Sequence, residues 1–162
     1  MAQSTEPSPR RAQLADAPSI TELYLQSRRA STPAIPAPVH SDEEIGHWLA
    51  DLVINGEVWV VEVADGTIAA MMVVHEDDLD QLYVRPGWTG RGLGSSLVEL
   101  AKDRHPGGLA LWTFATNVRA QRFYEGHGFE PGERTDGAEN EEGAPALHYH
   151  WPGRRQSGQS PA

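Results

Sequence analysis

Hydrophobic and polar positions divide this chain by their period. From Val58 the spacing suits strands: Val58-Trp-Val-Val-Glu-Val-Ala64 runs out, Asp65-Gly66 makes a tight turn, and Thr67 to His75 returns. Leu79 to Val84 reads as a further strand, ended by the Pro86-Gly87 turn. Past a run of glycines the period becomes helical. Leu93, Leu97, Val98, Leu100 and Ala101 fall on one face, which predicts a helix from near Gly92 to the stop at Pro106-Gly107-Gly108. Leu109 to Thr113 reads as a short strand and Asn117 to Glu125 as a helix stopped by Gly126 and Gly128. Phe129 and Leu147 to Trp151 suggest two last strands. Upstream, Ser19-Ile-Thr-Glu22 and Ser41-Asp-Glu-Glu44 have capping-box spacing and predict helices running to Arg29 and to Ile54. The prolines of the connector Ser31 to His40 keep it non-helical. With no internal repeat, this order of elements implies a mixed α/β sheet domain.

The length of 162 residues fits one domain over residues 11–151. The Pro-, Ser- and Gly-rich ends, residues 1–10 and 152–162, are expected to be poorly ordered tails. With 0 cysteines, disulfides, thiolate metal sites and a cysteine nucleophile are excluded. There is no apolar leader at the start and no run long enough to span a membrane, so a soluble, cytoplasmic protein without a membrane partner is expected. A formal charge of -10 disfavours nucleic acid as a partner and favours a cation.

The chemistry concentrates at Gly90-Arg-Gly-Leu-Gly94. A strand, closely spaced glycines and an amphipathic helix aim free backbone N–H groups and a positive dipole end at one point, which suits a pyrophosphate. Arg85 and Arg91 flank the turn in an otherwise acidic chain. A Walker loop is excluded because no Gly-Lys-Ser/Thr occurs, and a dinucleotide fingerprint fits poorly because the third glycine comes one residue early. A plain structural turn remains the alternative.

Two stretches resolve that choice. Leu82-Tyr-Val-Arg-Pro-Gly-Trp-Thr-Gly-Arg-Gly-Leu-Gly-Ser-Ser-Leu-Val-Glu-Leu-Ala101 resembles the acetyl-CoA signature of the GCN5-related N-acetyltransferases (GNAT). Asn117-Val-Arg-Ala-Gln-Arg-Phe-Tyr-Glu-Gly-His-Gly-Phe129 is similar to that family's next motif. The resemblance is sharp from 82 to 129 and extends in pattern over 11–151. It implies a GNAT fold: one mixed, mostly antiparallel sheet of six to seven strands with four helices, whose splayed central strands form the acetyl-CoA cleft. It also implies acetyl-CoA as cosubstrate, a metal-free reaction and, as in many relatives, a homodimer. By the same resemblance Leu82, Tyr83 and Val84 hold the pantetheine arm, with the Val84 N–H as oxyanion donor. Thr89, Gly90, Arg91, Gly92, Leu93, Gly94 and Ser95 hold the pyrophosphate, and Asn117 and Phe123 wall the channel. Thr89 stands where the family usually has Gln or Arg.

Acetyl transfer needs a neutral amine, a polarised carbonyl and a proton for the departing thiolate. The resemblance assigns the proton to Tyr124; otherwise Tyr124 is a core aromatic beside Phe123. Asp80, then Asp78, are candidate bases, because alternation with Leu82 puts their side chains on one face. His75 is an alternative base, and a solvated charge run over Glu76 to Asp80 is the alternative to any such role. His148-x-His150 lacks a third ligand for a metal, and Trp48, Trp59, Trp112 and Trp151 are expected to pack. The family's acceptor pocket maps to the connector 31–40 and the loop 133–143, where Glu133, Asp136, Glu139, Glu141 and Glu142 favour a small amine or peptide substrate. A module that binds acetyl-CoA without turnover is the competing functional class.

Overall fold

Seven strands and four α-helices are formed within residues 7–154, the part of the chain that this computed structural model describes. In chain order they are β1 (Pro9–Arg11), α1 (Ala17–Ala30), α2 (Asp42–Asn55), β2 (Glu57–Glu62), β3 (Ile68–His75) and β4 (Asp78–Val84). Then come α3 (Leu93–Arg104), β5 (Leu109–Phe114), α4 (Val118–Gly126), β6 (Glu130–Thr135) and β7 (Ala146–Trp151). They build one seven-stranded sheet in the order β1-β2-β3-β4-β5-β7-β6. Every neighbouring pair is antiparallel except β4 and β5. The expected fold is therefore present, with the larger of the two strand counts. Among the described residues no helix is long and apolar enough to cross a membrane.

The seventh strand corrects the N-terminal boundary. Pro9 pairs with Val61 and Arg11 with Trp59, so residues 9 and 10 belong to the sheet and not to a tail. At the other end, the Arg154 N–H donates to Pro106 O at 2.9 Å and its guanidinium meets Asp103 at 2.6 Å, so the chain is held past Trp151. Residues 1–6 and 155–162, the remainder of both expected tails, lie outside the described residues.

Helices cover both faces of β3, and its sequence says why. Ile68-Ala-Ala-Met-Met-Val-Val-His75 is apolar without alternation, and all of it but His75 is buried, as expected where a strand has a layer on each side. On one face Ile20, Leu23 and Leu49 of α1 and α2 meet Val58, Val60, Met71 and Val73. On the other, Leu97, Val98 and Ala101 of α3 meet Val61, Ala70, Met72, Leu79 and Leu111. Ile20, Leu23 and Leu97 have 0% of their surface exposed. Burying each contributes roughly 1.5–3 kcal/mol.

Only one of the two capping boxes operates. At α2, Ser41 Oγ accepts from the Glu44 N–H at 3.1 Å, and the Glu44 carboxylate accepts from the Ser41 N–H at 3.2 Å. Ser19, by contrast, lies inside α1, which starts at Ala17 with Pro18 in its first turn. A short 3-10 turn, Leu14–Asp16, leads into it, and the Asp16 carboxylate accepts from the Gln13 N–H at 2.8 Å. The early proline made an earlier start possible. Chemical denaturation is therefore expected to show a loss of about 1 kcal/mol for Ser41→Ala and little change for Ser19→Ala.

Candidate active site

The functional cleft opens where the sheet stops pairing. β4 and β5 share a single register pair, Asp78 with Ala110, beside which the Ala110 N–H donates to Asp77 O at 2.9 Å. Beyond that point no ladder joins them, and a cleft of about 1370 Å³ fills the gap. Its walls take in Leu82, Tyr83, Val84, Thr89, Gly90, Gly92, Leu93, Gly94, Ser95, Asn117, Phe123 and Tyr124. Of the expected cosubstrate residues only Arg91 is not in the wall; its guanidinium lies over the Trp88 ring, 4.6 Å from the centroid.

Strand pairing decides which backbone groups face the gap. Arg85 N–H donates to Ala69 O at 2.8 Å, which makes Val84 and Ala70 a pair that exchanges no hydrogen bonds. The N–H and C=O of Val84 therefore turn away from β3, and Leu82 opposite Met72 follows by alternation. Ser27, buried on α1, donates its hydroxyl to Val84 O at 3.1 Å. The Val84 N–H is left facing the cleft.

The glycine turn provides the other half of the site. Gly90 and Gly92 have φ of 76° and 81°, the left-handed region that favours glycine. Gly94 serves a different purpose: a Cβ there would stand 3.3 Å from the Phe123 ring and 3.5 Å from Val84. Among the described residues, no backbone N–H from Gly92 to Ser95 donates to a protein acceptor. Such a row of donors at the start of a twelve-residue helix suits a pyrophosphate. These residues fit coenzyme A. Asn117 also has a plain structural task, since its side-chain oxygen accepts from Ala120 N–H at 3.2 Å and caps α4.

Tyr124 is 8% exposed, and its ring meets Phe123 and Phe129 edge-on with centroids 5.2 and 5.5 Å away. It is thus both a core aromatic and part of the cleft wall. Burial, with a smaller contribution from Tyr83, pushes its phenol well above the usual tyrosine range.

The acidic residues separate. β4 carries a bulge: Val73 faces Gln81 but Val74 faces Leu79, so Asp80 is the extra, unpaired residue. Beyond it the parity of the strand inverts. Leu79, Leu82 and Val84 pack on the α3 side, while Tyr83 packs on the α1 side. The expectation that Asp78, Asp80 and Leu82 share a face is thereby overturned. Asp80 lines the cleft, whereas Asp78 sits at the closed end beside His75, and neither of those two reaches it. Glu133, on β6, and Asp136, Glu139 and Glu142, from the loop after it, line the cleft. Glu141 instead meets His40 Nε2 at 3.1 Å.

Several contributors escaped the sequence reading. Trp112, expected to pack, is 51% exposed in the cleft wall and pairs edge-on with His148 across β5 and β7 at 4.9 Å. Arg28, 4% exposed, donates to Tyr24 Oη at 2.8 Å and to Pro36 O at 2.7 Å, and stands 3.9 Å from Glu142. It lines both the main cleft and a side pocket of about 490 Å³ whose wall includes Tyr24 and Trp48. A helical arginine of this kind carries no sequence signal of its own. Among the described residues no group of three or more His, Asp or Glu could hold a metal.

Known proteins share this architecture and sequence. The sequence pattern of the acetyltransferase (GNAT) domain matches residues 55–131. The peptidyl-lysine N-acetyltransferase YiaC of Escherichia coli K12 is 32% identical over 128 residues, covering 74% of this chain and 81% of that protein. The solution structure of apo YjaB from Escherichia coli superposes with a TM-score of 0.75 at 21% identity, over 93% of this chain and 100% of that one. The structure of yncA, a putative acetyltransferase from Salmonella typhimurium with its cofactor acetyl-CoA, gives 0.72 at 17% identity, over 98% and 100%. With its two motifs on the walls of one cleft and a relative of this identity and coverage, the chain belongs to the GNAT family of acetyl-CoA-dependent N-acetyltransferases.

Proposed function

We propose that this enzyme acetylates the primary amine of a small cationic molecule or a peptide by direct attack on acetyl-CoA, with Tyr124 as general acid. The observation that carries this reading is that Tyr124 and Val84, whose N–H turns away from β3, line the same cleft between β4 and β5. The thioester supplies the acetyl group. The Val84 N–H donates to the carbonyl oxygen as negative charge grows there, and Leu82 and Val84 hold the pantetheine arm as an added strand. Residues 89–95 hold the pyrophosphate, with Arg91 swinging from Trp88 to join them. Phe123 and Asn117 bound the channel. The Tyr124 phenol carries its proton at neutral pH, as an unperturbed tyrosine does, so it has a proton to give to the departing thiolate and is poorly equipped to act as a base.

The acceptor arrives as an ammonium ion and must lose a proton before attack. Asp80, in the cleft wall and freed from the ladder by the bulge, receives that proton directly or through a water. Asp78 has no part in this reading. The carboxylates of Glu133, Asp136, Glu139 and Glu142 draw the cation to the acceptor half of the cleft. A peptide lysine is the acceptor most consistent with the similarity to YiaC, a peptidyl-lysine N-acetyltransferase.

In steady-state assays, Tyr124→Phe is expected to lower kcat by about 10²-fold or more with little change in the KM for acetyl-CoA. A loss confined to KM would remove Tyr124 from the chemical step. In the wild type, the alkaline fall of kcat that belongs to Tyr124 is expected above the ordinary phenol value of about 10, since a raised pKa extends the protonated range upward. Double substitution Glu133→Gln/Glu139→Gln is expected to raise KM for a lysine-containing peptide and to flatten its dependence on salt, with the KM for acetyl-CoA unchanged.

A further inference from the structure

Behind the glycine turn, a histidine contacts the hydroxyl of a serine that lines the cleft. Ser95 stands in the first turn of α3 and lines the cleft beside Gly92 and Gly94. Its Oγ lies 3.0 Å from Nε2 of His127, the residue that follows α4. The imidazole is fixed by its surroundings. Its ring centroid is 4.6 Å from that of Phe123, its Nδ1 is 3.8 Å from Glu99 Oε1, and the Lys102 ammonium donates to its backbone carbonyl. Glu99 is shared with Arg154, at 3.3 Å, and with Lys102, at 3.7 Å.

The proton on the serine has two destinations. When His127 is neutral and carries its proton on Nδ1, toward Glu99, the bare Nε2 accepts from Ser95, and the hydroxyl is spent on the ring. When the ring is charged, Nε2–H donates to Ser95 Oγ. The serine proton is then free to point into the cleft at an anion, with a cation directly behind it.

We propose that His127 is a positioning residue for the cosubstrate: it sets the direction of the Ser95 hydroxyl and so couples the grip of the glycine turn on the pyrophosphate to pH. This rests on the reading of that turn as the pyrophosphate cradle. The pair also supplies a side-chain donor to a turn in which Thr89 stands where relatives usually have Gln or Arg. Burial, then the Lys102 ammonium, holds the His127 pKa below the usual histidine value, with Glu99 opposing. The free protein therefore carries a neutral ring at pH 7, and affinity is expected to increase as pH falls through its titration.

The probe is 3′-dephospho-coenzyme A. Its pyrophosphate keeps a constant charge over this range, whereas the 3′-phosphate of coenzyme A itself titrates near pH ~6. Calorimetric titration of the wild type between about pH 5 and pH 8 is expected to show Kd tightening at least about fivefold toward acid. His127→Gln is expected to bind with a flat pH profile. Ser95→Ala, which leaves the histidine and its packing in place, is expected to be flat and weaker on the order of tenfold at the acid end. By NMR, the His127 ring of the wild type is expected to titrate at higher pH once the probe is bound. An unmoved ring titration, or a Ser95→Ala profile that parallels the wild type, overturns the proposal. Absence of binding by the wild type at any pH overturns instead the reading of the turn as a pyrophosphate site.

Discussion

The site depends on one failure of pairing at the centre of the sheet. β4 and β5 are joined at Asp78 and Ala110 and nowhere further along, although they lie side by side in a sheet whose other neighbouring strands each share three or more register pairs. Unpaired backbone N–H and C=O groups are costly when buried, so two central strands can diverge only where something else will occupy the space between them. Part of the requirement is met by Ser27, which reaches from α1 to Val84 O. The rest, including the Val84 N–H, is left for a ligand with its own amides and carbonyls. Pantetheine is such a ligand.

The divergence also explains why helix-borne groups meet at one place. α3 starts directly after the open end of β4, so its free N–H groups lie at the mouth of the gap, and α4 follows the open end of β5 and brings Phe123 and Tyr124 to the opposite wall. Gly94 lets α3 and α4 approach closely, since a Cβ there would stand 3.3 Å from the Phe123 ring. Behind this contact, His127 and Lys102 tie the end of α4 to α3. The other side of the cleft is built differently, from the α1–α2 connector, the bulge at Asp80, and β6 with the loop after it. Those pieces come from distant parts of the chain and are joined by side chains such as Arg28 and His40.

This contrast sets how much could be read from the sequence. The glycine turn was legible because its geometry is backbone geometry: Gly90 and Gly92 hold the left-handed φ that favours glycine, Gly94 lies close to Phe123, and their spacing records the turn directly. Ser41 and Glu44 were legible for the same local reason. Ser19 and Glu22 have the same spacing, but Pro18 allowed α1 to begin earlier, and spacing alone does not reveal that. The bulge at Asp80 was hidden because an extra residue leaves no mark in composition. Strict alternation then put Asp78, Asp80 and Leu82 on one face when the strand in fact inverts between them. β1 was hidden because three residues containing a proline present no period, and only the free edge of β2 makes them a strand. Arg28 and Trp112 draw their roles from neighbours far away in the chain.

The most direct test of this account is a crystal structure of the enzyme with acetyl-CoA. The pantetheine arm is expected in the gap between β4 and β5, with the thioester oxygen about 3 Å from Val84 N and the sulfur within hydrogen-bond reach of Tyr124 Oη. A thioester bound outside that gap, or one with Tyr124 turned away from its sulfur, would contradict it.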